Sequence, residues 1–225
     1  MKISTGSKDL DDWLSGGYEK GVITTLFGPS SSGKTNLCVL AAARQAAIRK
    51  KVIYLDTEGG FSVERLKQVT TQNIMKNILL FQVENFFQQR KAFIELLNSI
   101  NETIGLVIID SIAKFYRLEL NKASIEKDFK KIRALQQVLI NQLETLSEIA
   151  RKNQIPVLIA DQVYDSFKEE KVSMIGKDIL EKYSKCIIEL KNLGEGRKRA
   201  ILIKPSNKLN SLNFKIVEEG IKKKF

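Results

Sequence analysis

Histidine is absent from this chain of 225 residues, which removes imidazole from any catalytic scheme and takes away the commonest nitrogen ligand for zinc. Cysteine is nearly absent too. Cys38 and Cys186 lie far apart, each in an apolar segment, and read as small buried hydrophobes in a reducing compartment rather than as a disulfide or a metal site. No uninterrupted apolar run reaches the roughly 18 residues that a membrane-spanning helix needs. The opening segment, MKISTGSKDLDDW, is polar and acidic where an export signal would be basic and then greasy. The expectation is a cytoplasmic protein with no membrane partner. Its chemistry must run on carboxylates, lysine, arginine, amides and hydroxyls.

Apolar sequence and positive charge are plentiful. An apolar content of 43% is ample for one large core, so a single domain spanning residues 1–225 is expected. The net charge of +11 is unevenly spread: residues 1–112 carry 13 basic and 11 acidic side chains, residues 113–225 carry 24 and 15. A nearly neutral half is joined to a basic one, an asymmetry that points to a polyanionic partner, nucleic acid being the commonest.

After a short capped helix near Leu10, Trp13 and Leu14, stopped by Gly16 and Gly17, the chain alternates between two kinds of segment. VITTLF (22–27), VIYLD (52–56), ILLFQV (78–83), LVIID (106–110) and PVLIA (156–160) are apolar without clean polar alternation, as strands covered on both faces should be. Helical segments are predicted between them at 34–49, 62–73, 85–100 and 124–152. This alternation predicts an α/β fold with a mostly parallel sheet flanked by helices. Beyond residue 180, KCIIEL, RAILIK and LNFKIV are separated by turns at 192–196 and 206–210, with no helix long enough to cross over, and predict antiparallel strands at one sheet edge.

Between the first such strand and its helix lies GPSSSGKT, which fits the phosphate-loop pattern G-x-x-x-x-G-K-[ST] in its proper context. Gly28, Pro29, Ser30, Ser31, Ser32 and Gly33 let backbone amides turn inward, and the helix that starts at Lys34, Thr35 and Asn36 offers its positive end to an anion. Lys34 is expected on the β and γ phosphates of ATP, and the Thr35 hydroxyl on Mg2+. Asp110 ends the strand LVIID, where a carboxylate can hold the same magnesium. Glu58, in DTEGGF, sits at the carboxyl end of another strand, where it either activates a water or caps the helix that begins near Ser62.

Four stretches, STGxxxLDxxLxGG, GPxxSGKT, YLDTEGGFSxERL and VIIDSIAKFYR, together with DQV at 161–163, resemble the RecA/RadA recombinase superfamily, and among its branches archaeal RadB most. The resemblance covers nearly the whole chain and is strongest before residue 120. It implies a RecA-like P-loop NTPase core that begins directly at the core, without RadA's amino-terminal helical DNA-binding domain and without the linker whose Phe-x-x-Ala motif joins protomers into filaments. It implies a DNA repair and recombination accessory protein that binds ATP and single-stranded or branched DNA. Such a protein assists RadA and other recombination proteins, with weak ATP hydrolysis and no strand exchange of its own. It gives Gln162 the role of sensing the γ phosphate, beside Glu58 and Lys34. Asp161 departs from the family, which usually has asparagine there; its charge opposes a triphosphate unless a cation or a bound proton offsets it.

Two family loops face DNA. In the first, 111–124, Lys114, Tyr116, Arg117 and Lys122 combine cations with an aromatic able to stack on a base, although Phe115 and Tyr116 suit a packed position equally. Arg117 matches a family arginine in position and is the foremost single DNA-binding candidate. The second, 164–178, is mixed in charge. Lys191, Arg197, Lys198 and Arg199 in KNLGEGRKR, and the basic end IKKKF, are the stronger electrostatic candidates. The long helix after 124 has the apolar stripe Phe129, Ile132, Leu135, Leu139, Leu143 and Leu146, with Lys130, Lys131 and Arg133 beside it. Two readings stay open besides the accessory factor: a DNA-stimulated strand-exchange ATPase, and a KaiC-like signalling ATPase with no DNA role.

Overall fold

The apolar runs become the spine of a nine-stranded sheet. The computed structural model describes residues 1–162, 178–205 and 211–224. Strand β1 (Lys2–Ile3), helix α1 (Lys8–Trp13) and strand β2 (Tyr18–Glu19) form an entry unit in which β1 and β2 pair antiparallel. There follow β3 (Ile23–Gly28), α2 (Lys34–Ala47), β4 (Lys51–Asp56), α3 (Val63–Val69), β5 (Ile78–Gln82) and α4 (Phe86–Ser99). Next come β6 (Ile104–Asp110), α5 (Lys114–Ile125), α6 (Phe129–Asn153) and β7 (Val157–Gln162). Residues 178–183 are helical and lead into β8 (Ser184–Gly194), β9 (Arg197–Lys204), β10 (Ser211–Val217) and β11 (Gly220–Lys223).

The order across the sheet is β11-β10-β9-β8-β3-β7-β6-β4-β5. Neighbours from β8 to β5 are parallel, whereas β8 to β11 form an antiparallel edge, as expected from the missing crossover helices. The chain passes from β3 to β4 over the positions of β7 and β6, which opens a crevice at the carboxyl ends of these strands. The second predicted loop (164–178, but for Asp178) and the turn at 206–210 lie outside the described residues.

Helices cover both faces, which explains strands without polar alternation. Along β4, Val52 and Tyr54 enter the core under α2, while Ile53 and Leu55 enter the core under α4, α5 and α6. Ala41, Ala42, Ala43 and Ala46 keep α2 close to the sheet, and Cys38 is wholly buried among them. Among the described residues, no helix is long and apolar enough to cross a membrane.

Two expectations need correction. Most of the predicted loop at 111–124 is helix α5, because Phe115, Tyr116, Leu120 and Ala123 fall on one helical face and bury it in the second core. The helix predicted over 124–152 starts at Phe129. Asp128 caps it by accepting from the Lys131 amide at 2.9 Å, and Lys127 turns the chain with φ 54°. That cap leaves Phe129 at the first helical position, beyond the packed face and 70% exposed, whereas Leu135, Leu139, Leu143 and Leu146 are buried as expected.

One side chain ties the antiparallel edge to the helices. The Arg65 guanidinium, on α3, donates to Asn36 Oδ1 (2.7 Å), Gln68 Oε1 (2.8 Å), and the carbonyls of Val217 (2.8 Å), Glu218 (2.9 Å) and Gly220 (3.2 Å). A planar fork can serve these directions together; an ammonium cannot. Arg65→Ala is expected to lower chemical-denaturation stability by on the order of 2 kcal/mol, with Arg65→Lys recovering less than half. Equal stability of wild type and Arg65→Ala would remove the clamp from the account.

Candidate functional site

Gly28, the last residue of β3, must be glycine because a Cβ there would lie 2.2 Å from the Leu190 carbonyl oxygen on β8. The chain then turns through residues 29–32 to Gly33, which caps α2 with φ 103° and has no side chain to satisfy the first-turn amides. Those amides and the helix dipole make this end of α2 a ready anion site. Lys34, buried at 6% exposure, folds back over the loop. Its Nζ donates to the Gly28 carbonyl (2.8 Å), the Pro29 carbonyl (2.7 Å) and Ser32 Oγ (3.4 Å). Burial holds the Lys34 pKa below the usual lysine range, against the pull of the Asp110, Asp161 and Glu58 carboxylates, and its direct hydrogen-bond acceptors are neutral oxygens.

The Thr35 hydroxyl donates to Asp110 Oδ2 at 2.7 Å, and Tyr54 Oη donates to the same oxygen at 3.0 Å. Burial pushes the Asp110 carboxyl up to about 6, against the two hydrogen bonds that favour its ionised form. Thr35 and Asp110 thus form the oxygen pair a hard divalent cation takes, and the cation's charge would relieve the carboxylate. The side chains of Ser30, Ser31, Thr35 and Asn36 line a cavity of about 490 Å3 together with Lys34, Glu58, Asp110 and Gln162. That volume is in the range of small-molecule sites. Ser32 and Asn36 have further duties, Ser32 to Lys34 and Asn36 to Arg65.

Glu58 is placed by its neighbour. Asp56 Oδ1 accepts from the amides of Glu58 (3.1 Å), Gly59 (2.8 Å) and Gly60 (3.2 Å), and Oδ2 from Phe61 (3.0 Å). Thr57 locks the same turn to β6, donating to the Ser111 carbonyl (2.8 Å) and accepting from the Ser111 amide (2.7 Å). Ser62 itself caps α3 by accepting from the Arg65 amide at 3.0 Å, so the helix does not need Glu58 as its cap. The Glu58 carboxylate faces the cavity, and Gln162 Nε2 approaches Glu58 Oε2 at 3.5 Å. Burial raises its pKa, Asp161 raises it further, and Lys114, Arg117 and Lys34 pull it down.

The residues expected to meet DNA separate into groups. Arg117 grips Asp161 with both terminal nitrogens, at 3.0 and 3.1 Å, and Ser111 Oγ adds a third bond at 2.9 Å. The unusual aspartate therefore has its offsetting cation. Lys114 Nζ donates to the Thr57 carbonyl at 2.6 Å, beside Glu58. Tyr116 is 1% exposed and cannot stack on a base; its spacing with Leu120 and Ala123 made it core. Lys122 pairs with Glu119 at 2.8 Å on the open face of α5. Arg197 pairs with Glu195 at 3.0 Å, and Arg199 Nε donates to Asn213 Oδ1 at 2.8 Å across β9 and β10. Lys198 lines the phosphate-loop cavity instead of joining them.

Sequence reasoning missed Asp56, Arg65 and the exposed pair Ile125 and Phe129, 83% and 70% exposed at the α5–α6 elbow. Asp56 had a readable signal, an aspartate before a Gly-Gly turn. The elbow had none beyond two charged residues around Lys127, since only the cap at Asp128 decides which way Phe129 points.

Comparison with known proteins gives this geometry a family. The sequence pattern of the Rad51 family matches residues 1–224. The protein named DNA repair and recombination protein RadB from Methanococcoides burtonii is 35% identical over 98% of this chain and 97% of its own length. The protein of the same name from Methanocaldococcus jannaschii is 37% identical over 94% of this chain and 98% of its own. A solved structure described as that of the RadB recombinase superposes with a TM-score of 0.75 at 33% identity, covering 97% of this chain and 98% of the other. The fold is thus RecA-like, and the chain belongs to the Rad51 family, among the RadB proteins of DNA repair and recombination.

Proposed function

We propose that this chain is an ATP- and DNA-binding accessory factor of recombination that assists a RadA recombinase and turns ATP over slowly, without strand exchange of its own. One observation carries the reading. Lys34, Thr35, Asp110, Glu58 and Gln162, far apart in sequence, line one cavity at the carboxyl ends of β3, β4, β6 and β7.

The donor set fits a magnesium-bound triphosphate, which when bound supplies the phosphoryl group and a metal that spreads its charge. Lys34 would hold phosphate oxygens in place of the Gly28 and Pro29 carbonyls, trading neutral acceptors for charged ones. Thr35 would hold the metal through a lone pair of the hydroxyl that donates to Asp110, and Asp110 in its ionised form would back it. Glu58 holds and deprotonates a water, and Gln162 orients it. Arg117 works first as the counter-ion of Asp161, so that aspartate does not face the phosphates as a bare charge. Burial raises the pKa of Glu58, which suits a general base, while Lys114 and Arg117 offset part of that rise.

For DNA, single-stranded or branched, the aromatic contact falls to the exposed Phe129, since Tyr116 is buried. Lys122, Lys127, Lys130 and Arg133 stand exposed around Phe129 and Ile125 on the α5–α6 elbow, combining phosphate neutralisation with a base platform. RadA is the proposed partner, its Phe-x-x-Ala segment the proposed contact. Deleting that segment from RadA should abolish its capture by this protein, and undiminished capture would end that part of the proposal.

Three measurements test the nucleotide and DNA readings. Glu58→Gln is expected to abolish residual hydrolysis while MgATP affinity stays within about threefold; unchanged turnover would remove Glu58 from the mechanism. Burial raises the Asp110 pKa to about 6, so its cost to stability is absent below pH about 4, where folded and unfolded carboxyls are both protonated, builds between pH about 4 and 6, and is fully present above pH about 6. Asp110→Asn should therefore melt higher than wild type at pH 7.5, by on the order of 2 kcal/mol, converge with it at pH 4, and lose the thermal gain that MgATP gives the wild type. A variant less stable at pH 7.5 would contradict this. Phe129→Ala should weaken single-stranded DNA binding about tenfold at fixed salt, and Lys130→Ala should flatten the salt dependence. If neither changes binding, DNA does not use the elbow.

A further inference from the structure

Lys198 belongs to the basic turn, yet its ammonium does not point into open solvent with Arg197. Its Nζ donates to the Ser31 carbonyl oxygen and to Asn192 Oδ1 (2.9 Å), while Asn192 Nδ2 donates to the Ser30 carbonyl oxygen at 3.3 Å. Two adjacent carbonyls of the phosphate loop are thus held from outside by one hairpin. The sheet explains the reach. β8 pairs parallel with β3, Glu189 opposite Phe27, and then continues to Gly194 after β3 has ended, so the hairpin overhangs the loop. β9 returns antiparallel with Lys198 opposite Asn192.

The contact is close. A Cβ on Gly33 would lie 3.3 Å from Lys198 Cδ and 3.2 Å from Ile216 Cδ1, so the lysine stem lies against the loop at the start of α2. Lys198 also lines the same cavity as Lys34, Thr35 and Asp110. Its partners are neutral oxygens, and burial lowers its pKa, the mark of a cation partly stripped of water without counter-charge. Burial lowers the Lys34 pKa too, there against the pull of the Asp110, Asp161 and Glu58 carboxylates.

We infer that Lys198 is a second phosphate-binding cation of this cavity, delivered by β9 of the same chain and resting on the Ser31 carbonyl until phosphate oxygens replace it. The inference rests on the nucleotide-binding reading above. An ammonium moves from a carbonyl to an anion with gain, because a charge-assisted bond is about twice as strong as a bond to a neutral acceptor. Asn192 keeps the amine beside the loop during the exchange, and the basic turn is thereby fastened to the occupied site.

Equilibrium binding to the purified full chain tests this, with MgATP, MgADP, adenosine and a single-stranded oligonucleotide as ligands. Lys198→Met should weaken MgATP and MgADP at least about tenfold, leave adenosine unchanged, and leave oligonucleotide affinity without nucleotide unchanged. Lys198→Arg should restore most of the loss. Lys198→Gln, which can still donate to Ser31, should behave as Lys198→Met does, which separates charge from packing and serves if the methionine variant melts early. MgATP binding equal to wild type in both neutral variants would overturn the inference and leave the nucleotide reading standing. So would an equal loss for adenosine, or a loss confined to the oligonucleotide. A wild-type chain that binds no MgATP would overturn the nucleotide reading, and this inference with it.

Discussion

Three carboxylates buried at the carboxyl ends of neighbouring interior strands set the terms for everything around them. Asp56 and Asp110 are register partners on β4 and β6, and Asp161 follows Ala160, the partner of Asp110 on β7. Three neighbouring anions in a low-dielectric crevice cannot coexist without three separate remedies. Asp56 spends its charge on four backbone amides and becomes structure. Asp161 takes both ends of Arg117 and becomes an ion pair. Asp110 receives two hydroxyl donors, no cation, and a pKa raised to about 6. Of the three, it is the one left with charge for a metal to satisfy.

The cations around the crevice mirror this division. Lys34 and Lys198 rest on different carbonyls of the phosphate loop, while Lys114 rests on the carbonyl of Thr57. Each holds a neutral acceptor that an anion would outbid. Asp110, held by two hydroxyls, and the ammoniums of Lys34 and Lys198, resting on carbonyls, line one cavity, an arrangement that favours a metal-bound anion over either component alone. A RecA-like sheet brings this about because β3, β4, β6 and β7 all end at the same crevice.

Much of this was legible beforehand where local chemistry decides. The phosphate loop declared itself through glycines, lysine and threonine between a strand and a helix, and the parallel strands through runs lacking alternation. The antiparallel edge was legible because short strands without crossover helices have no other way to pair. The helix α5 was misread because a family expectation of a loop was set above the spacing of Phe115, Leu120 and Ala123. Lys198 was misread because a run of four basic and turn residues looks the same whether one of them faces solvent or a loop more than 160 residues earlier.

By itself the sequence determined the order of strands and helices, the anion-binding turn, the pairing of Thr35 with a distant strand-end acid, and the basic bias of the second half. Those depend on periodicity and on groups close along the chain. Only the tertiary structure decided that Arg117 answers Asp161, that Asp56 builds the turn carrying Glu58, that Tyr116 is core while Phe129 is exposed, and that Lys198 belongs to the phosphate loop. Partners such as these are fixed by strand register and by how far a hairpin overhangs its neighbour, and neither quantity is written in any local stretch of residues.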